Sequence, residues 1–242
     1  MSYTLYNHHH KSEEDCSIIR RALWTEGYIN CLSFDPARKN LCLHIEKRFI
    51  SNENKTIKIE TLCFKRANII SVEESSKDST IYKNISDLFD QYKNLIISCH
   101  ILVLERQLPK NYKAVRVSQH VLSYLMLLTR DLPHLPMIVE VSSTMKTKML
   151  KATKGLSNAQ TKKWSTIFGK LLSKINNDTA ALDFLEKVEK RKIKIDDPCD
   201  TIVQLEAFLI NINYYPSINQ NKIDELSEQV NSFFNNVVKN KA

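Results

Sequence analysis

Apolar positions in this chain alternate in twos through the first part and recur at helical spacing from Ile85 onward. Ile29, Cys31, Leu32 and Phe34 make a compact apolar run, and Pro36, which cannot donate to a sheet ladder, predicts that pairing stops at Asp35. Leu41 to Phe49 alternates its apolar residues as far as Ile45, the signature of a half-buried strand. Ile57, Ile59, Thr61 and Cys63 repeat the alternation after the turn-like S-N-E-N-K, so three strands in antiparallel meander are expected. A short leading helix is expected over 15–26, and V-E-E-S-S-K-D-S-T reads as a polar loop.

Ile85, Leu88, Phe89, Tyr92 and Ile96 share one helical face, and the run S-C-H-I-L-V-L-E after them suits a central strand buried on both sides. That strand ends in an acid, Glu105. Val121, Leu122, Leu125, Leu128 and Leu132 mark a helix stopped by Pro133 and Pro136, and M-I-V-E-V is a fifth strand. Alternating strands and helices with short connections imply parallel pairing through right-handed crossovers. The fold class is therefore α/β with a mixed sheet. Further helices are expected over Trp164–Ile175, over Thr179–Lys190 and from Asp197, and Ile223, Leu226, Val230, Phe233 and Val237 make a C-terminal amphipathic stripe. The divisions expected are an N-terminal extension over 1–25, a main domain over 26–212 and a helical extension over 213–242.

At 242 residues the chain can bury one core without staples. No apolar run reaches the roughly 20 residues needed to span a bilayer, and the first residues lack a signal peptide's apolar core. An intracellular protein with no membrane role is expected. Six scattered cysteines without a C-x-x-C pair read as reduced thiols. His8, His9 and His10 have no matching ligand cluster and are read as a solvated arm.

The net charge of +8 is unevenly spread: eight lysines and no acid lie between Lys146 and Lys174. Such a block suits a polyphosphate partner, because each neutralised phosphate releases condensed counterions. Lys146, Lys148, Lys151, Lys154, Lys162 and Lys163 are the candidate DNA-binding residues, and lysine without arginine favours backbone contact over base reading. A solvated face is the plain alternative.

The opposite charge gathers at strand and helix ends. Asp35 and Glu105 each close an apolar strand, and K-I-D-D-P-C-D opens a helix at Lys194–Asp200. There Asp197 as N-cap, Pro198 at the first helical position and Asp200 at the third would make a helix start, while also projecting two carboxylates from one face.

Three motifs in order carry a resemblance: F-D-x-x-x-K-N at Phe34–Asn40, L-E-R-Q at Leu104–Gln107, and K-x-D-D-x-x-D at Lys194–Asp200. Together they resemble the RuvC-type Holliday junction resolvases of poxviruses, iridoviruses and other large DNA viruses. The resemblance spans roughly 29–210 and implies an RNase H-like fold, with a five-stranded mixed sheet of three antiparallel then two parallel strands. It implies that Asp35, Glu105, Asp197 and Asp200 are catalytic and hold two Mg²⁺ ions, with Mn²⁺ substituting. Asp196 matches an additional acid of the viral form. A basic residue before the last acids is also typical, falling among Lys148, Lys151, Lys154, Lys162 and Lys163, with Lys163 in T-K-K-W-S preferred. Pro36 and Ala37 depart from the pattern, which there has an aliphatic residue and glycine.

The resemblance further implies a homodimer acting on four-way DNA junctions, with no small-molecule cofactor, in the host-cell cytoplasm or a viral replication site. The dimer is expected through the helix over about 112–130, where Val117, Tyr124 and Leu127 form a second apolar stripe. The alternatives are another RNase H-like nuclease, cutting an RNA/DNA hybrid or flap, and a catalytically inactive junction-binding protein.

Overall fold

A computed structural model describes residues 3–5, 27–37, 39–50, 57–69, 78–212 and 217–239. The expected helix over 15–26, the three N-terminal histidines, Cys16 and residues 72–77 of the expected polar loop lie outside these residues, and the last three of that loop, Asp78 to Thr80, instead open a helix. In chain order the elements are β1 (Tyr3–Leu5), β2 (Tyr28–Asp35), β3 (Leu41–Ile50), β4 (Ile57–Ala67), α1 (Asp78–Gln91), α2 (Lys93–Ile97), β5 (Ile101–Arg106), α3 (Tyr112–Thr129), β6 (Met137–Ser142), α4 (Met145–Met149), α5 (Asn158–Ile175), α6 (Thr179–Lys190), α7 (Asp196–Asn211) and α8 (Ser217–Lys239).

The sheet order is β1-β6-β5-β2-β3-β4. β2, β3 and β4 form the antiparallel meander, and β5 and β6 add in parallel to β2. These five strands have the order and sense that the resemblance implies. The short β1 adds a sixth, pairing antiparallel with β6, a contribution of the first residues that their pattern did not announce.

Helices cover both faces. Leu32, Phe34, Leu41, Leu43, Ile45, Leu102 and Leu104 pack against Ile81, Ile85 and Phe89 of α1 and Val117, Val121 and Leu125 of α3. On the other face Ile29, Cys31, Ile101, Val103 and Val139 meet Trp164 and Phe168 of α5, nearly all of α7, and Ile223, Leu226, Val230 and Phe234 of α8. Phe233, expected in that last stripe, is instead 53% exposed, and Phe234 takes the inward position. No helix among the described residues is long and apolar enough to cross a membrane. The described cysteines are all free thiols.

β3 corrects the half-buried expectation. Its polar positions His44, Glu46 and Arg48 are as buried as its apolar ones, because α7 lies across them. Arg48 is held between Glu46 and Glu206 of α7, the latter pair at 2.9 Å. A buried guanidinium is tolerable when carboxylates surround it.

Gly169 decides how α5 meets α7. A Cβ there would stand 3.0 Å from the Cβ and 3.2 Å from the Cα of Cys199. The missing side chain lets the two helices approach closely at Cys199, next to the acids that open α7.

Candidate active site

Side-chain parity in the strands brings the first two acids together. Alternate residues point to one face, so Ile29 and Cys31 place Asp35, and Ile101 and Val103 place Glu105, on the face covered by α5 and α7. β2 and β5 run parallel with Phe34 opposite Leu104. Asp35 and Glu105 therefore leave the sheet side by side, close enough for a carboxyl–carboxyl hydrogen bond. Burial, the Glu105 charge and the Asp200 charge, in that order, push the Asp35 carboxyl well above its usual range.

α7 delivers Asp197 and Asp200 to the same place. Asp35, Glu105, Asp197 and Asp200 line one groove of about 840 Å³, shared with Gln107 and Asn111. Asp200 accepts a short hydrogen bond from Ser165 of α5. Burial, with Asp196 next to it, raises the Asp197 carboxyl, whose Oδ2 is buried without a hydrogen-bond partner among the described residues. The expected cap is corrected: Ile195 occupies the N-cap position, and no side chain caps the helix. Asp196 is instead taken by Lys162 at 2.9 Å and Lys194 at 3.0 Å. Burial opposes its charge, but these two ammonium groups prevail and hold Asp196 below the usual carboxylate range.

Lys146, placed by sequence among the phosphate-binding lysines, sits inside the acid cluster. Its Nζ is 2.8 Å from Asp200 and 3.6 Å from Glu105. Burial works against the charge, yet Glu105, Asp200 and Asp35 hold the lysine protonated well above its usual range. The signal was present in its position: Lys146 lies in α4, shortly after β6, the neighbour of β5 in the sheet. Lys163 is the opposite case, and the preference for it is corrected. Its Nζ stands 5.2 Å from the Phe233 ring centroid, because that side of α5 faces α8 and not the groove.

Pro36 and Ala37 line the groove. Among the described residues, positive φ at non-glycine positions occurs at Lys151, Asn177 and Lys192. The turn after Asp35 thus makes no demand for glycine's left-handed backbone at position 37.

A second groove of about 630 Å³ adjoins the first, sharing Thr144, Thr147 and Thr161 with it. Lys148, Lys151 and Lys154 line it. Lys162 lines the acid groove itself.

Among the described residues no trio of His, Cys, Asp or Glu is already drawn into a coordination shell. The groove nonetheless fits a hard divalent cation. Its donors are carboxylate oxygens, one of them is buried and unpartnered, and the Lys146 ammonium marks a place where positive charge is held among three acids.

The second apolar stripe on α3 is smaller than expected. Val117 is buried against the sheet, since it lies one turn from Val121 on the same face. Tyr124 leans on Phe89 and donates to Asp90 at 2.5 Å. Leu127, 58% exposed, and Met126 remain on the surface.

No known family model matches the chain. Uncharacterized protein 170L of invertebrate iridescent virus 6 is 24% identical over 216 residues, covering 73% of this chain and 87% of that protein. Among solved structures, T. thermophilus RuvC in complex with a Holliday junction substrate is similar over 77% of this chain and 98% of its own, at a TM-score of 0.47 and 10% identity. Another Thermus thermophilus RuvC structure covers 74% and 94%, at 0.41 and 10%.

Proposed function

We propose that this protein is a metal-dependent endonuclease that cuts branched DNA, resolving four-way junctions by paired nicks. The observation that carries the reading is the union of two grooves: four carboxylates line one, and lysines line the other directly beside it. A phosphodiester strand crossing both would meet cation ligands at one point and backbone contacts at the next. The three sequence motifs, all of whose acids line the first groove except the ion-paired Asp196, favour the same class.

Asp35, Glu105, Asp197 and Asp200 would hold the divalent ions, Mg²⁺ or Mn²⁺. When bound, such ions supply an activated water and charge to stabilise the leaving oxygen. The protein's own residues prepare for that. Ser165 orients the Asp200 carboxylate through its hydroxyl. Lys162 and Lys194 fix Asp196 and the first turn of α7. Lys146 holds one positive charge within the cluster, against Asp200 and Glu105, and would face the phosphate of a bound strand.

A homodimer carries the reading to the junction, since two identical sites suit a substrate with an approximate two-fold axis. The similarity to an iridovirus protein suits a role in a large DNA virus.

The test is to incubate purified protein and Mg²⁺ with a synthetic four-way junction. Paired nicks on opposite strands, with 5′-phosphate and 3′-hydroxyl ends that ligase reseals, are expected. Preference for an RNA/DNA hybrid would favour another RNase H-like nuclease. Binding with no nicking in Mg²⁺ or Mn²⁺ would leave a junction-binding protein.

A further inference from the structure

The segment 150–157, between α4 and α5, presents Lys151 and Lys154 to the second groove without a regular backbone ladder. Lys151 adopts φ 51°, in the left-handed region that side chains disfavour. Something must hold this loop, and α8 does so, chiefly through Asn231. Asn231 Nδ2 donates to the Lys151 carbonyl at 2.5 Å, while its Oδ1 accepts from Thr153 N–H at 3.1 Å and from the indole Nε1 of Trp164 at 3.3 Å. Val230, Phe234 and Trp164 are buried in the core around it, so the amide is anchored to the rigid part of the molecule. Two turns earlier on α8, Asp224 holds the Lys151 ammonium at 2.9 Å. Asn231 and Asp224, seven residues apart, therefore grip the same loop from one helix face.

Resting on the nuclease reading, we propose that the groove floored by this loop binds the strand backbone flanking the scissile phosphate, and that Asn231 is its positioning residue. The ligand class is a phosphodiester chain. Lys148 and Lys154 offer point charges, and Thr147 and Thr161 offer hydroxyls, the groups that fix backbone register without reading sequence. Asn231 acts through the loop: a loop already held costs less to order when the strand arrives. This gives the C-terminal helix, otherwise a packed extension, a task in substrate binding.

The experiment measures binding of a labelled four-way junction in Ca²⁺ over a salt series, with hydrogen exchange on the same protein, for wild type and Asn231→Ala. Faster exchange over 151–156, with affinity reduced about tenfold and a log–log salt slope shallower by about one, is expected. In Mg²⁺ the loss should fall on KM and not on kcat. Unchanged exchange overturns the role of Asn231, and faster exchange with unchanged affinity overturns the groove as a binding site. If Asn231→Ala does not fold, Lys148→Glu with Lys154→Glu tests the groove directly, and an unaltered slope overturns it. Wild-type protein that binds no DNA would sink the nuclease reading itself, an outcome separate from all of these.

Discussion

Lys146 and Asp200 form an ion pair of 2.8 Å at the centre of the acid cluster, with Glu105 at 3.6 Å on the same ammonium. The pair joins α4, which follows β6, to the first turns of α7. It places a positive charge among three neighbouring carboxylates.

Replacing this lysine removes that charge. Lys146→Met should destabilise the metal-free protein by about 3 kcal/mol, because a nearly buried pair is broken with its acids left in place. Ca²⁺ should recover much of the loss, and raise Tm more in the variant than in wild type. Urea unfolding in EDTA and in Ca²⁺ measures both, and equal metal effects in the two proteins would count against a cation site here.

The acids should separate function from stability. Asp35→Asn or Glu105→Gln should abolish nicking while leaving junction binding in Ca²⁺ intact or tighter. Asp35→Asn should also stabilise the metal-free fold by about 1 kcal/mol, since a carboxylate raised by burial and two like charges no longer needs accommodating. Gel shift and thermal melting together decide it. Parallel loss of binding and folding would make these acids structural.

His44 gives a pH signature of its own, from a side chain buried under α7 on β3. Burial, followed by the opposing influence of Asp178 and the reinforcing one of Arg48, lowers it to about 4. The unfolded chain, near 6.5, binds the proton more readily, so this stability is present above about pH 6.5 and lost as pH falls toward 4. Between pH 7 and 4.5 wild type should lose about 2 kcal/mol more than His44→Gln. Identical pH dependence in urea titrations would refute the buried neutral imidazole.

Charge reversal should distinguish lysines that looked equivalent in the sequence. Lys163→Glu should leave the salt slope of junction binding nearly unchanged, because that ammonium lies over Phe233. Lys148→Glu should lower the slope by about one. Fluorescence anisotropy across a salt series gives the two slopes, and a larger effect at Lys163 would reverse the assignment.

Assembly can be read by light scattering. A homodimer should give about twice 28.1 kDa, shifting toward monomer for Leu127→Glu, whose apolar side chain lies exposed on α3 beside Met126. A monodisperse wild-type monomer at micromolar concentration would remove the dimer.

The sequence by itself determined the elements and their chemical endings. Compact apolar runs stopped by Pro36 and by Glu105-Arg106 specified which strands end in acids, because apolar clustering and turn chemistry are local properties. Side-chain parity along those same runs was enough to put Asp35 and Glu105 on one face once pairing was known. Tertiary packing alone decided which lysine lies among the acids. Lys146 and Lys163 look alike in a basic block, and they differ only because β6 ends beside β5 while α5 turns one side to α8. The same holds for Val117, whose face depends on how α3 settles on the sheet, and for His44, Glu46 and Arg48, buried because α7 covers them. Asn231 had no legible role, since its three partners lie between 67 and 80 residues away in the chain. Contacts of that separation carry no local pattern. They exist only where the close crossing at Gly169 and the docking of α8 have already brought the segments together.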